Sequence, residues 1–296
     1  MKLPGIFLRL PNEVQTASRR WAYGTPERGN GFKPNLPSCA EIRNLSFRKP
    51  LELDAELQSI ARSSPSHRFL TNPAALNAYS YLVDFAQAFS ESRFGKPVSQ
   101  ISILDWGCGK GQVTFLLRKR GARVTSCDYR GGKTPNGDSS FGQDTPIIRA
   151  AEIAVDPMED PVQMPYPDES FDVVLSFGVL EHVRSDIDSL RELRRVLRPG
   201  GILFCFYLPY FLSWTQRVSH LFGNEYHDRL YTSGRVRELL ADTGYELLDL
   251  WYRQLLPKNT IHYPSYRFAE ALDQALVRFT PLKYLATNIE FVAVAR

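Results

Sequence analysis

The chain of 296 residues carries 43% hydrophobic and 23% charged side chains and a formal net charge of +4. This is ordinary globular usage; it excludes a wholly disordered chain and suits one large α/β domain with extensions. The positive excess is thinly spread, with Arg118, Lys119 and Arg120 its densest cluster beside a predicted helix, so no nucleic-acid partner is expected.

Cys39, Cys108, Cys127 and Cys205 are scattered and form no C-x-x-C pair, which argues against a disulfide framework or a cysteine zinc site and fits a cytoplasmic location. The opening residues MKLPGIFLRLPNEV make a poor signal peptide. The longest apolar stretch, residues 202–214, is broken by Pro209 and falls short of the ~20 residues of a spanning helix, so no transmembrane segment is expected.

In chain order, residues 1 to about 50 hold six prolines and several glycines and predict an irregular arm. A helix follows over 51–63, with Leu53, Leu57 and Ile60 at helical spacing, and another starts at Asn72-Pro73 and runs to about Phe89. From Ile101 short apolar runs alternate with helical stretches. Strands are predicted at ISILDW (101–106), RVTSCD (123–128), AEIAVD (151–156), SFDVVLSFG (170–178), ILFCFYL (202–208), YELLDLWYR (245–253) and IEFVAVA (289–295). Helices are predicted at 112–121, at 185–198 with Ile187, Leu190, Leu193 and Leu197 on one face, and at 235–244. The alternation predicts an α/β fold with a doubly wound, mostly parallel sheet. Glycines, prolines and small polar residues fill the connection from 129 to 148, which predicts a long loop or lid.

Residues 103–111 read ILDWGCGKG. Glycine at 107, 109 and 111 permits positive φ and bares the backbone, so a ligand can approach the peptide groups opening the next helix. The spacing is not the dinucleotide G-x-G-x-x-G, and Asp105 just before the loop would repel a diphosphate. Asp128, ending the next strand, suits ribose hydroxyls. An adenosine with a cationic amino-acid tail fits this set, with Asp105 holding the ammonium or bracing the loop.

The run ILDWGCGKG, the acid-ended VTSCD, MPYPDESFDVVLSFGVLEHV and LRELRRVLRPGGILFC together resemble the class I S-adenosylmethionine-dependent methyltransferases, in their small-molecule type 11 group. The resemblance covers about 72–296 and is most specific over 101–206. It implies a Rossmann-like sheet of seven strands with the last antiparallel, an N-terminal extension over 1–71, a methyltransferase domain over 72–296 with a substrate-side insertion at about 209–231, and S-adenosylmethionine as cofactor. It places Asp105, Gly107, Cys108, Gly109 and Gly111 along the methionine part, Asp128 and Tyr129 at the ribose, and Phe177 in the same pocket; Trp106 either lines the methionine side or packs under the loop. Met158 is a stacking candidate at the adenine. Because VDPMEDPVQMPY is longer than the common form, either Asp156 or Asp160 is the adenine acid.

Methyl transfer from a sulfonium is an in-line displacement achieved largely by positioning, and a base is needed only where the nucleophile arrives protonated. His182, beside Glu181 after the fourth strand, is a base candidate against a loop-positioning role, and His227 in NEYHDRLYT is a substrate-side candidate against a helix-entry role. His220, Glu225 and His227 are too irregularly spaced for a ligand set, so no metal is expected. Tyr207, Tyr210, Phe211 and Trp214 are candidates for an acceptor wall or for sheet cover. The expected activity is methyl transfer to an oxygen, carbon or nitrogen of a small molecule, in the class of lipids, quinones or glycan metabolites. The competing classes are an inactive binding protein of this fold and a nicotinamide oxidoreductase; the intact loop opposes the first and its spacing the second.

Overall fold

Seven short β-rich runs separated by helices assemble into one sheet. The computed structural model describes residues 37–48, 55–63, 65–129, 145–222, 227 and 229–296. Most of the N-terminal arm, residues 130–144 of the long connection, and Glu225 with Tyr226 lie outside the described residues.

The strands are β1 (Ser102–Trp106), β2 (Arg123–Tyr129), β3 (Val155–Met158), β4 (Phe171–Phe177), β5 (Leu197–Pro209), β6 (Tyr245–Arg253) and β7 (Asn288–Ala295), in the order β3-β2-β1-β4-β5-β7-β6. The pairs from β3 through β5 are parallel; β7 runs antiparallel to both β5 and β6. Strand order reverses between β1 and β4. In open α/β sheets ligands bind in the crevice beyond the carboxyl ends at such a switch point.

Alternate side chains along each strand feed two apolar layers, one on each face. Ile103 and Val173 join the layer under helix α3 (Pro73–Phe94), while Leu104 and Val174 join the layer under α6 (Asp186–Val196) and α8 (Ser233–Asp242). The remaining helices are α1 (Cys39–Arg48), α2 (Ala55–Arg62), α4 (Gln112–Lys119), α5 (Pro146–Ala150), α7 (Trp214–Leu221) and α9 (Tyr266–Phe279).

Several boundaries differ from the sequence reading. Helix α3 does not stop near Phe89: it continues to Phe94, where Gly95 in the left-handed region turns its N–H onto the Glu91 carbonyl. The third strand is not 151–156. Residues 151–154 are a turn with Glu152 at φ 47, and Ile153 donates its N–H back to Ile148 to close α5, so pairing with β2 begins only at Val155. Helices α1, α5, α7 and α9 are absent from the sequence reading.

Candidate active site

Two loops face each other across the β1/β4 switch point. The first follows β1. Gly107, Gly109 and Gly111 all have positive φ, of 66°, 51° and 84°. A Cβ on Gly107 would stand 2.7 Å from the Val179 methyls, and one on Gly111 would stand 2.8 Å from Ile148. Those two glycines are therefore demanded by neighbouring protein. At Gly109 the nearest atom is a backbone oxygen 3.9 Å away, so this is the loop position left open for a ligand.

Both acids of this half are engaged. Asp128 accepts the Gly109 N–H at 2.8 Å on Oδ2 and the Tyr129 N–H at 2.8 Å on Oδ1. Burial raises its pKa, and these two amides oppose the rise. Asp105 is buried on β1, accepts the Thr114 hydroxyl at 2.6 Å, and burial pushes its pKa up to about 7. Thr114 also bonds Ser126 of β2 at 2.8 Å, so Asp105 braces the start of α4 against two strands.

Trp106 is buried under the loop among the α6-side residues, and Cys108 is buried with its N–H on the Cys127 carbonyl. Met158, at the end of β3, is also buried. Asp156 lies within β3 opposite Cys127 and accepts the Tyr166 hydroxyl at 2.9 Å. Asp160 lies beyond the strand's carboxyl end and caps the turn by accepting the Val162 and Gln163 amides.

The second loop follows β4. Glu181 is 2% exposed, burial drives its pKa up to about 8, and its Oε2 has no hydrogen-bond partner among the described residues. Its Oε1 lies 3.8 Å from His182 Nε2 and 3.9 Å from His227 Nδ1, with the imidazole centroids 5.3 Å apart. Three potential ligand atoms thus fall within 4.8 Å of one another. This is a different trio from His220, Glu225 and His227: His220 sits on α7, while His227 is drawn to the β4 loop.

The aromatic residues after β5 divide. Tyr207 adopts φ 61, a strained value for a bulky side chain, and stacks on Tyr79 of α3 at 5.0 Å, with Phe177 at 6.2 Å. Its N–H donates to Glu290, which also pairs with the buried Arg253 at 3.1 Å. Tyr79, Arg253 and Glu290 carry no local sequence signal; they converge only through the sheet order. Tyr210 instead packs on Tyr252, Trp214 donates to the Leu255 carbonyl, and Phe211 is exposed.

The fold and this loop pair define a Rossmann-like α/β protein whose β1 and β4 loops meet at the switch point of the sheet. Residues 104–205 match the family model described as a methyltransferase domain. The chain is 29% identical over 152 residues to a probable S-adenosylmethionine-dependent methyltransferase of Mycolicibacterium smegmatis, spanning half of this chain and about half of that relative (50% and 52%). It is 27% identical over 214 residues to a ubiquinone biosynthesis O-methyltransferase of Parvibaculum lavamentivorans, covering 63% of this chain and 78% of the relative. A ubiquinone biosynthesis O-methyltransferase of Mesorhizobium japonicum is 29% identical over 202 residues, covering 62% and 74%. The family match and these relatives mark residues 104–205 as a methyltransferase domain of the S-adenosylmethionine-dependent class. S-adenosylmethionine is the cofactor of that class, and the open backbone at Gly109 beside the Asp128 carboxylate fits it.

Proposed function

We propose that this protein transfers the methyl group of S-adenosylmethionine to a hydroxyl of a small-molecule acceptor, in the unit formed by residues 72–296 with its acceptor-side insertion at about 209–231. The carrying observation is the buried Glu181 carboxyl held beside two imidazoles at the carboxyl end of β4, across the switch point from the glycine loop. Two relatives described as O-methyltransferases support an oxygen acceptor.

In this reading Asp128 takes the ribose hydroxyls, Gly109 with the flanking Gly107, Cys108 and Gly111 backbone holds the methionine part, and Asp105 with Trp106 supports the loop from beneath. Tyr129 flanks the ribose. Asp160 is the better adenine acid than Asp156, because it stands past the end of β3 while Asp156 is spent on Tyr166; Met158 sits under the same edge. Bound S-adenosylmethionine supplies an electrophilic methyl on a sulfonium. His182 takes the acceptor's proton, Glu181 and His227 set its orientation and share the charge, and Phe177, Tyr79 and Tyr207 wall the acceptor side.

Calorimetry with S-adenosylmethionine and its demethylated product, followed by a screen of phenolic, quinol, lipid and sugar acceptors with tritiated methyl donor, tests this. His182→Ala should lower turnover about 100-fold or more while leaving cofactor affinity within a factor of about two. Loss of cofactor binding in that variant would assign His182 a structural role instead. The 4.8 Å convergence of Glu181, His182 and His227 favours a second reading, in which a divalent cation held there lowers the acceptor's pKa. Metal analysis after dialysis separates the two: a stoichiometric ion lost in Glu181→Gln supports the cation.

A further inference from the structure

Helix α9 is built inside out. Its acidic residues face the protein: Asp273 accepts the Leu255 and Leu256 amides at 2.7 and 2.8 Å, and Asp273 and Glu270 both grip the buried Lys258, at 2.8 and 2.6 Å. Several of its large apolar residues face outward. Phe268 is 69% exposed and Phe279 76%, with Leu272 between them at helical spacing and Leu282, Tyr284 and Leu285 continuing the patch on the short 3-10 turn Pro281–Leu285. A surface helix usually turns its apolar stripe to the core, and a contiguous exposed apolar patch marks an interaction surface.

Cations flank the stripe. Arg267 lies over the Tyr266 ring, Arg278 over Phe279 and Lys283 over Tyr284, each charge at 5.1 to 5.8 Å from an aromatic centroid; Arg278 also reaches Asn44 at 3.5 Å. The two acids within residues 261–285, Glu270 and Asp273, are turned inward on Lys258. Aromatic and aliphatic side chains beside guanidinium and ammonium groups, with no exposed carboxylate in the same segment, match a lipid headgroup region carrying negative charge. A second copy of the chain fits worse, since a two-fold contact would set this cationic face against the same face of the copy, with no carboxylate from this segment to pair Arg267, Arg278 and Lys283.

The position adds to the case. This segment joins the end of β6 at Arg253 to the start of β7 at Asn288, and Asn288 pairs with Pro209 at the end of β5. It therefore sits at the carboxyl edge of the parallel strands, the same end of the sheet as the two active-site loops.

We propose that the outer face of α9 and the following turn docks this protein on anionic lipid membranes, its aromatic and aliphatic side chains in the headgroup region and Arg267, Arg278 and Lys283 on the phosphates. The docking goes beyond the methyl-transfer reading and is measured without turnover. The full chain is sedimented with phosphatidylcholine vesicles, with and without about one third phosphatidylglycerol. The parent should bind the mixed vesicles at least about tenfold more tightly than the neutral ones, and lose this preference in high salt. Phe268→Ser with Phe279→Ser should weaken binding to mixed vesicles about tenfold or more, and Arg267→Gln with Lys283→Gln should remove the anionic preference, both with unchanged thermal melting. Absence of vesicle binding by the parent, or equal binding by parent and both variants, overturns the proposal. So does a parent dimer in light scattering that Phe268→Ser with Phe279→Ser disperses, if no vesicle binding accompanies it.

Discussion

The loop after β1 and the loop after β4 lie side by side, yet they are finished to different degrees. In the first, each carboxylate has its donors: Asp105 the Thr114 hydroxyl, Asp128 two backbone amides. In the second, Glu181 keeps one buried oxygen without a partner among the described residues, and Tyr207 across from it holds a strained backbone. A loop whose polar groups are satisfied is preorganised to bind, whereas an unsatisfied buried acid and a strained residue mark where chemistry is held ready. On the proposed function, the difference places binding and proton handling on opposite sides of one switch point.

The largest effect should come from the binding side. Asp128→Ala removes the proposed ribose acceptor and also releases the Gly109 amide, so S-adenosylmethionine affinity in calorimetry should fall about 100-fold, as for loss of one or two charge-assisted hydrogen bonds. Affinity within a factor of about three of the parent would sink the assignment of that side to the cofactor.

The glycines sharpen the comparison. Gly107→Ala meets the Val179 methyls, which belong to the opposite loop, and adds a left-handed strain of about 1–2 kcal/mol. Gly109→Ala carries the strain but meets only an ordinary contact, the Gly107 carbonyl oxygen at 3.9 Å. Chemical denaturation should therefore show Gly107→Ala as the less stable variant, with Val179→Ala restoring part of the loss, while calorimetry should show Gly109→Ala as the poorer cofactor binder. The reverse order would mean that Gly109 is the packing glycine.

The same contrast explains what the sequence made legible. Strands β1, β2, β4, β6 and β7 were readable because a buried strand is a continuous or alternating apolar run, and the glycine loop because positive φ selects glycine. Spacing alone did not separate Gly109 from Gly107 and Gly111, since the side chains that fill their Cβ space, Val179 and Ile148, come from 37 to 72 residues further along. Strand β3 was misplaced because the apolar residues before it serve a turn that closes α5. Helix α9 went unread for a deeper reason: its inward face carries Glu270 and Asp273, so the period is present but its polarity is inverted relative to a core-facing helix. The convergence of Glu181, His182 and His227 was hidden likewise, because 45 residues separate the two imidazoles in the chain.

A smaller effect tests the unfinished side directly. Burial raises the Glu181 pKa from 4.5 to about 8, so between those values the folded protein holds a proton that the unfolded chain has released. Stability must then fall as pH rises through this window, and Asp105, raised to about 7, adds a fall of the same sign. Glu181→Gln keeps the shape of the protonated acid and cannot ionise. Its melting temperature should match the parent near about pH 4.5 and exceed it by about 4 °C or more near about pH 9, while methyl transfer declines. The sign carries the argument: removing a functional acid should stabilise the fold only where that acid would otherwise be forced to ionise in the dry. A melting difference that is flat with pH would place Glu181 among ordinary structural acids, and the two loops would then differ in packing alone.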